Sequence, residues 1–205
     1  MAKKLRVLVG CEFSGVVRDA FAKLGHEAWS CDLLESEAPG KHITGDIFDV
    51  FNNKPVKITD PDSAAKTKVF RKNYFDLLIV HPECTYLCNS GVKHLYVNAA
   101  RWIRNKKGKV IGENPIDRKR WKKMLAAADF FNRCMSLPVK RIIAENPREH
   151  KYARKLIGRH TFTTQPHEHG HGETKEHRFW TKGDVEPMPP SKKVKGRKAR
   201  VHMES

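Results

Sequence analysis

The segment HPECTYLCNSG, residues 81–91, puts two cysteines, a histidine, a glutamate and an asparagine directly behind FDLLIV, an apolar run that reads as a buried strand. Thiols there have three uses. As a thiolate, Cys84 is a strong nucleophile wherever neighbouring dipoles or cations lower its pKa. As a pair, Cys84 and Cys88 supply half of a four-ligand metal set, which HEHGH (His167, His169, His171) would have to complete. That spacing matches no standard structural zinc site, and no metal is expected. As a small hydrophobe, a free cysteine simply packs. The reading taken forward makes Cys84 the nucleophile and leaves Cys88 packed beneath its loop.

Carboxylates recur at the ends of other apolar runs. Glu145 closes the strand in IIAENP, where burial raises a carboxyl group's proton affinity and makes it a hydrogen-bond donor to a heterocycle. The same tripeptide occurs at Glu113, in a stretch expected to be a loop. The first turn, GCEFSG (10–15), brings Glu12, Phe13, Ser14 and Gly15 to a strand–helix junction. Its glycines admit a close ligand and its helix amino terminus favours an anion, although any tight strand–helix turn needs glycine. Asp32, ending EAWSCD, suits a ribose diol, as acids at that place in nucleotide-binding sheets do, or else caps a helix. Asp46 opens GDIFDV at the edge of a third element. Together these residues favour an adenosine-containing cofactor.

Such residues need a sheet to hold them. RVLVG (6–10), EAWSCD (27–32), YFDLLIV (74–80) and VKRIIAENP (139–147) read as strands, and TFTTQP and HRFWTKG as further ones. SGVVRDAFAKLG (14–25) has helical spacing, with Val17, Phe21 and Leu24 on one face and Gly25 as a stop. Residues 117–137 form the strongest helix, with Trp121, Met124, Leu125, Ala128, Phe131 and Met135 as its apolar stripe and Pro138 beyond its end. Residues 52–72 read as an insertion or exposed loop, and 92–117 are ambiguous between a helix and a short excursion. Strands alternating with helices predict an α/β fold of one domain, a mostly parallel sheet with helices on both faces. Ligands of such sheets bind beyond the carboxyl ends of the strands, at the switch in strand order.

At 205 residues the chain suits one well-buried domain. No apolar run approaches the length of a bilayer span, so no membrane partner is expected. MAKKLRVLVG enters a strand directly, and the five cysteines read as reduced thiols, which predicts a cytoplasmic location. Lys+Arg of 40 against Asp+Glu of 23 gives +17, a charge that favours polyanions. Part of that excess lies in RNKKGK, DRKRWKK and SKKVKGRKAR, the last reading as a mobile arm. Residues 1–185 are therefore expected to fold, with 186–205 as a basic tail.

With these residues assembled, the chain resembles the cytosine-5 DNA methyltransferases, and among them the small phage and prophage methylase-like branch. VLVGCEFSG resembles the family's cofactor-binding first motif, CDLLESE the acidic end of its second strand, and GDIFD its third motif. HPECT resembles the Pro-Cys motif, AENP the Glu-Asn-Val motif and TKEHRFW (174–180), more loosely, the basic motif supporting the catalytic loop. The similarity covers about residues 5–182 and rests on several motifs in the right order. It implies a Rossmann-like methyltransferase fold, S-adenosylmethionine as cofactor, and DNA as substrate, inside a bacterial host or phage-infected cell. By the same resemblance Cys84 attacks carbon 6 of a flipped pyrimidine while Glu145 hydrogen-bonds ring nitrogen 3. Lys175 and Arg178 hold phosphate or the catalytic loop. Glu12, Phe13, Ser14, Gly15, Asp32, Asp46 and Pro82 bind the cofactor, and Thr85, Asn89 and Ser90 belong to the loop that closes over the base.

The chain departs from the family in three places. Glu83 stands where the motif has proline, beside the proposed thiolate, and its charge raises that thiol's pKa unless His81 or a lysine compensates. The family's target-recognition domain has no room after residue 182, and its last motif, a carboxy-terminal helix completing the cofactor pocket, is not evident in RKARVHMES; three expectations stay open, a protein partner supplying recognition, action with little sequence preference, or loss of catalysis. Other readings remain: a non-catalytic DNA-binding protein of the same fold, the same chemistry on a pyrimidine nucleotide, or a metal-dependent nuclease using Asp32, Asp46 and the histidines, which leaves Cys84 without a role.

Overall fold

The computed structural model describes residues 3–195; of the expected basic tail, residues 196–205 lie outside the described residues. In chain order the elements are β1 (Arg6–Gly10), α1 (Val16–Lys23), β2 (Glu27–Asp32), β3 (His42–Thr44), α2 (Ile47–Phe51), β4 (Val56–Thr59), β5 (Thr67–Lys68) and β6 (Leu77–Val80). There follow β7 (Trp102–Arg104), β8 (Val110–Glu113), α3 (Arg118–Met135), β9 (Arg141–Pro147), α4 (Lys151–Ile157), β10 (Phe162–Thr164) and β11 (His177–Lys182). The chain divides into two compact units, one of residues 3–82, 133–145 and 179–187, the other of residues 83–132, 146–178 and 188–195.

The first unit is α/β, built on a mostly parallel sheet whose strands run in the order β11-β9-β6-β1-β2-β3-β4-β5. β1 pairs in parallel with β2 on one edge and with β6 on the other. β2 pairs with β3, and β6 with β9, in the same sense. The chain therefore builds outward from β1 to β3, then resumes at β6 on the opposite edge of β1. Val7, Leu8, Val9, Leu78 and Val80 are wholly buried, which explains why these strands read as unbroken apolar runs.

Two stretches depart from their expected form. Within 52–72, β4 and β5 extend the sheet antiparallel beyond β3. Val56 and Ile58 point inward while Lys57 and Thr59 face out, an alternation obscured by the surrounding lysines and prolines. The third strand, His42–Thr44, went unmarked in the sequence; GDIFDV, expected at the edge of a third element, runs into α2, which Asp46 caps, its Oδ1 accepting from the Phe48 N–H at 2.9 Å.

The turn from β1 into α1 is held by two buried charged groups. The Glu12 carboxylate accepts from the Val17 N–H at 2.6 Å and the Arg18 N–H at 3.3 Å, satisfying two donors that a helix leaves open at its start. Gly15 enters α1 at φ 76, and a Cβ there would sit 2.3 Å from the Arg18 guanidinium. Arg18, only 1% exposed, donates to Asp19, to the Ser30 and Ser36 hydroxyls and to the Ala38 and Pro39 carbonyls, which fastens α1 to the loop after β2.

The second unit holds turns of 3₁₀ helix at Asn89–Leu95 and Val97–Ala99, then a β7–β8 hairpin where the sequence was ambiguous. Glu113 ends β8 rather than lying in a loop. In α3 Met124, Ala128 and Phe131 are buried as expected, but Leu125 is 49% exposed. One residue is a rotation of about 100°, which carries position 125 off the buried stripe. Trp121 donates from Nε1 to the Leu95 carbonyl at 3.0 Å, and its ring meets Tyr152 at 5.1 Å.

Arg18→Met keeps volume but removes all five of these donations. We expect it to cost about 2–4 kcal/mol, seen as a lower urea midpoint at unchanged m-value.

Candidate active site

At the carboxyl ends of β1 and β6 a cleft of about 270 Å³ is lined by Cys11, Glu12, Phe13, Ser14, Val16, Val17 and His81. Larger cavities of about 530 Å³ and 350 Å³ occur in the same unit. The first lies at the amino ends of β6 and β9, the second between α1, β2 and the loop after β2, and neither meets the strand-end acids. Open parallel sheets bind ligands at the carboxyl ends, so the smaller cleft is the relevant one.

Its surroundings are acidic. Asp32 accepts from the Leu34 N–H at 3.0 Å through Oδ1, and Oδ2 accepts nothing among the described residues. Neither Asp32 nor Asp46 lines the cleft, but both act on it. Burial first, then the charges of Asp32 and Asp46, push the Cys11 thiol up to about 12, which keeps it protonated at neutral pH. Pro82 is buried directly after His81, and Ser14 Oγ faces the Val16 N–H at 3.4 Å.

His81 and Glu145 each follow one member of a paired couple, Val80 on β6 and Ala144 on β9. Their side chains meet, His81 Nδ1 to Glu145 Oε2, at 3.4 Å, with the glutamate side chain 16% exposed. His81 Nε2 is buried and has no hydrogen-bond partner among the described residues.

In the second unit Cys84 opens a single helical turn: the Leu87 and Cys88 N–H groups both donate to its carbonyl, at 3.0 and 2.9 Å. That turn carries the two sulfurs to the same face. Cys88 is buried, as expected, but it is not inert packing. Its Sγ lies 3.0 Å from Ser90 Oγ. A hydrogen bond from Cys84, then those from the Ser90 side chain and the Gly91 and Ser90 N–H groups, overcome burial and bring the Cys88 thiol from 9.0 down to about 5. These donors favour the thiolate form of Cys88. Gly91 permits this turn, since a Cβ there would lie 2.5 Å from the Thr85 carbonyl oxygen. Thr85, Asn89 and Ser90 are exposed around it, as is Glu83.

The strand of backbone behind this turn is tied to Glu149. Cys88 bridges Glu149, and the Asn89 N–H donates to the Arg148 carbonyl at 2.7 Å. The Glu149 carboxylate is held by Arg178 and Arg154, each at 2.7 Å, and its pKa falls below the usual carboxylate range because these donors outweigh burial. Arg178 is itself buried and also pairs with Glu176. It is therefore committed to carboxylates, while Lys175 forms no ion pair among the described residues. His150 caps α4 through Nδ1 and meets the Tyr86 carbonyl through Nε2 at 3.0 Å.

Sequence reasoning gave His81 only a compensating charge and Cys88 only a packing role, and passed over Glu149 and His150. The i,i+4 spacing of the cysteines was a usable signal for their shared face; Glu149 and Arg178 are 29 positions apart and gave none. Among the described residues no group of three or more His, Cys, Asp or Glu side chains is placed to hold a metal ion, and His169 hydrogen-bonds Thr164 and Ser191. Nor is any helix of the described residues long and apolar enough to cross a membrane. No family model and no curated protein matches the chain.

A thiol whose folded pKa is depressed stabilises the fold fully above its unfolded value of 9.0, and that contribution is lost as pH falls through about 5. The ultraviolet absorbance of the thiolate should accordingly persist down to about pH 5 in the native chain. Cys84→Ala removes the leading donor and should shift the profile upward; an unmoved profile would show that Cys84 is not that donor.

Proposed function

We propose that the chain is an S-adenosylmethionine-dependent methyltransferase of Rossmann-like fold that acts on carbon 5 of cytosine in DNA through Cys84. The observation that carries this reading is the cleft at the carboxyl ends of β1 and β6, where strand order reverses, the crevice in which doubly wound sheets take nucleotides. When bound, the cofactor would supply an electrophilic methyl group on a positively charged sulfur.

The residues present suit that group. Glu12, Asp32 and Asp46 give this end of the first unit the negative charge a sulfonium favours. The open oxygen of Asp32 suits a ribose hydroxyl, and Phe13 and Ser14 line the cleft beside Gly15 and Pro82. A cleft of about 270 Å³ accommodates one end of such a molecule rather than all of it.

For the base, Cys84 would add to ring carbon 6 as its thiolate, the form that acts as a nucleophile. Glu145 would hydrogen-bond ring nitrogen 3, so that electron density collects on carbon 5; the methyl group would pass there as its bond to the sulfonium sulfur breaks and leaves a neutral thioether. A base then removes the carbon-5 proton, the ring double bond re-forms, and Cys84 leaves as a thiolate. Lys175 is available for a phosphate. Arg178 acts at one remove, by holding Glu149 against the backbone of Cys88. Thr85, Asn89 and Ser90 form the exposed turn that meets a flipped base.

Tritiated-methyl cofactor and duplex DNA should yield labelled DNA, and DNA carrying 5-fluorocytosine should trap a covalent adduct that is lost in Cys84→Ala. Calorimetry should find cofactor affinity about ten-fold lower in Asp32→Ala, as expected for one lost hydrogen bond. A salt-sensitive DNA complex with neither label nor adduct would make the chain a non-catalytic binding protein.

A further inference from the structure

The β7–β8 hairpin plays no part in the chemistry above. Its strands pair antiparallel, Trp102 with Glu113 and Ile103 with Gly112, and both are open to solvent. Trp102, Ile103, Val110 and Ile111 are 44%, 40%, 42% and 63% exposed. A two-stranded ribbon with uncovered faces gains little from burial, so apolar side chains kept on its surface point to a partner.

The ribbon is nonetheless well built. At its tip the Asn105 side chain accepts from the Lys107 and Lys109 N–H groups at 3.0 Å, and Arg104 donates to the Gly108 carbonyl at 2.7 Å. At its base Arg101 pairs with Glu113 at 2.8 Å and stacks over Trp102 at 4.4 Å, and Asn114 donates to the Ala100 carbonyl at 2.8 Å. Residues 101–113 carry Arg101, Arg104, Lys106, Lys107 and Lys109 against Glu113 alone, which Arg101 already holds. Lys106, Lys107 and Lys109 form no ion pair among the described residues, so the tip is an uncompensated cluster of positive charge.

We infer that this hairpin enters the major groove of duplex DNA, its tip lysines on phosphates and its exposed apolar side chains against base edges. A two-stranded ribbon is one of the elements that fit the B-form groove, about 12 Å wide, where apolar side chains meet thymine methyls. The major groove of duplex RNA is too deep and narrow to be read this way. The inference rests on DNA being the substrate, and gives target recognition an element within the chain.

The test is the affinity of the full chain for a labelled DNA duplex, measured by anisotropy over a salt series without cofactor. Lys106→Ala/Lys107→Ala/Lys109→Ala should bind at least about ten-fold more weakly at about 0.1 M salt. Its log–log salt slope should be shallower by about 0.9 for each phosphate the lysines no longer neutralise. Trp102→Ala/Ile111→Ala should weaken binding at an unchanged slope. On the unaltered chain, DNA should protect the three lysine amines from acetylation, a readout independent of any variant's folding. Wild-type affinity in the triple variant with fully reactive amines overturns the inference and leaves DNA as substrate; a chain that binds no duplex DNA overturns both. Equal affinity of the hairpin for duplex RNA, or self-association abolished by the Trp102/Ile111 variant, also overturns it.

Discussion

The parallel pairing of β1 with β2 on one edge and β6 on the other is the constraint on which the first unit depends. Parallel neighbours cannot be joined by a tight hairpin, so the chain must cross over before each one. The crossings from β1 to β2 and into β6 approach opposite edges of the same strand, and the carboxyl end of β1 is left uncovered between them. Glu12 and Arg18 then shape what lies there. One closes the start of α1, and the other pins the loop after β2. The tight turn of residues 10–15 is thereby held at the mouth of the sheet, with His81 across from it at the end of β6.

Charge is sorted along the chain in a way that net charge conceals. Acids gather where strands end, and burial, reinforced by their field, keeps the Cys11 thiol protonated. Hydrogen-bond donors gather around Cys88 and do the reverse. Two cysteines of the same intrinsic acidity thus end in opposite states, one set by burial beside carboxylates, the other by donors in a tight turn. The surplus of positive charge is carried elsewhere, in part on the hairpin tip. A cationic cofactor and an anionic polymer make opposite demands on electrostatics, and a chain serving both has to keep the two potentials apart.

The elements legible from residue order were those whose burial is periodic and local. β1, β2, β6 and β9 are apolar runs bounded by turns, and α1 and α3 repeat at helical spacing. Others were hidden by the same reasoning. β4 shows only Val56 and Ile58 as inward residues among lysines and prolines. The IFDVF of α2 has the composition of a strand, and the Asp46 cap decides for a helix. β7 and β8 face solvent, so no alternation of buried and exposed residues marks them.

What the amino-acid order determined by itself is the alternation of strands and helices, the positions of Glu12, Asp32 and Glu145 at or near strand ends, and a positive charge suited to a polyanion. The tertiary structure alone decided which strands are neighbours, that His81 meets Glu145, that Arg178 is spent on Glu149, and that Cys88 is ringed by donors. The reason is one of range. Hydrophobic period acts over a few residues and can be counted along the chain, whereas proton affinity and hydrogen-bond partnership depend on groups that only folding brings within a few ångströms.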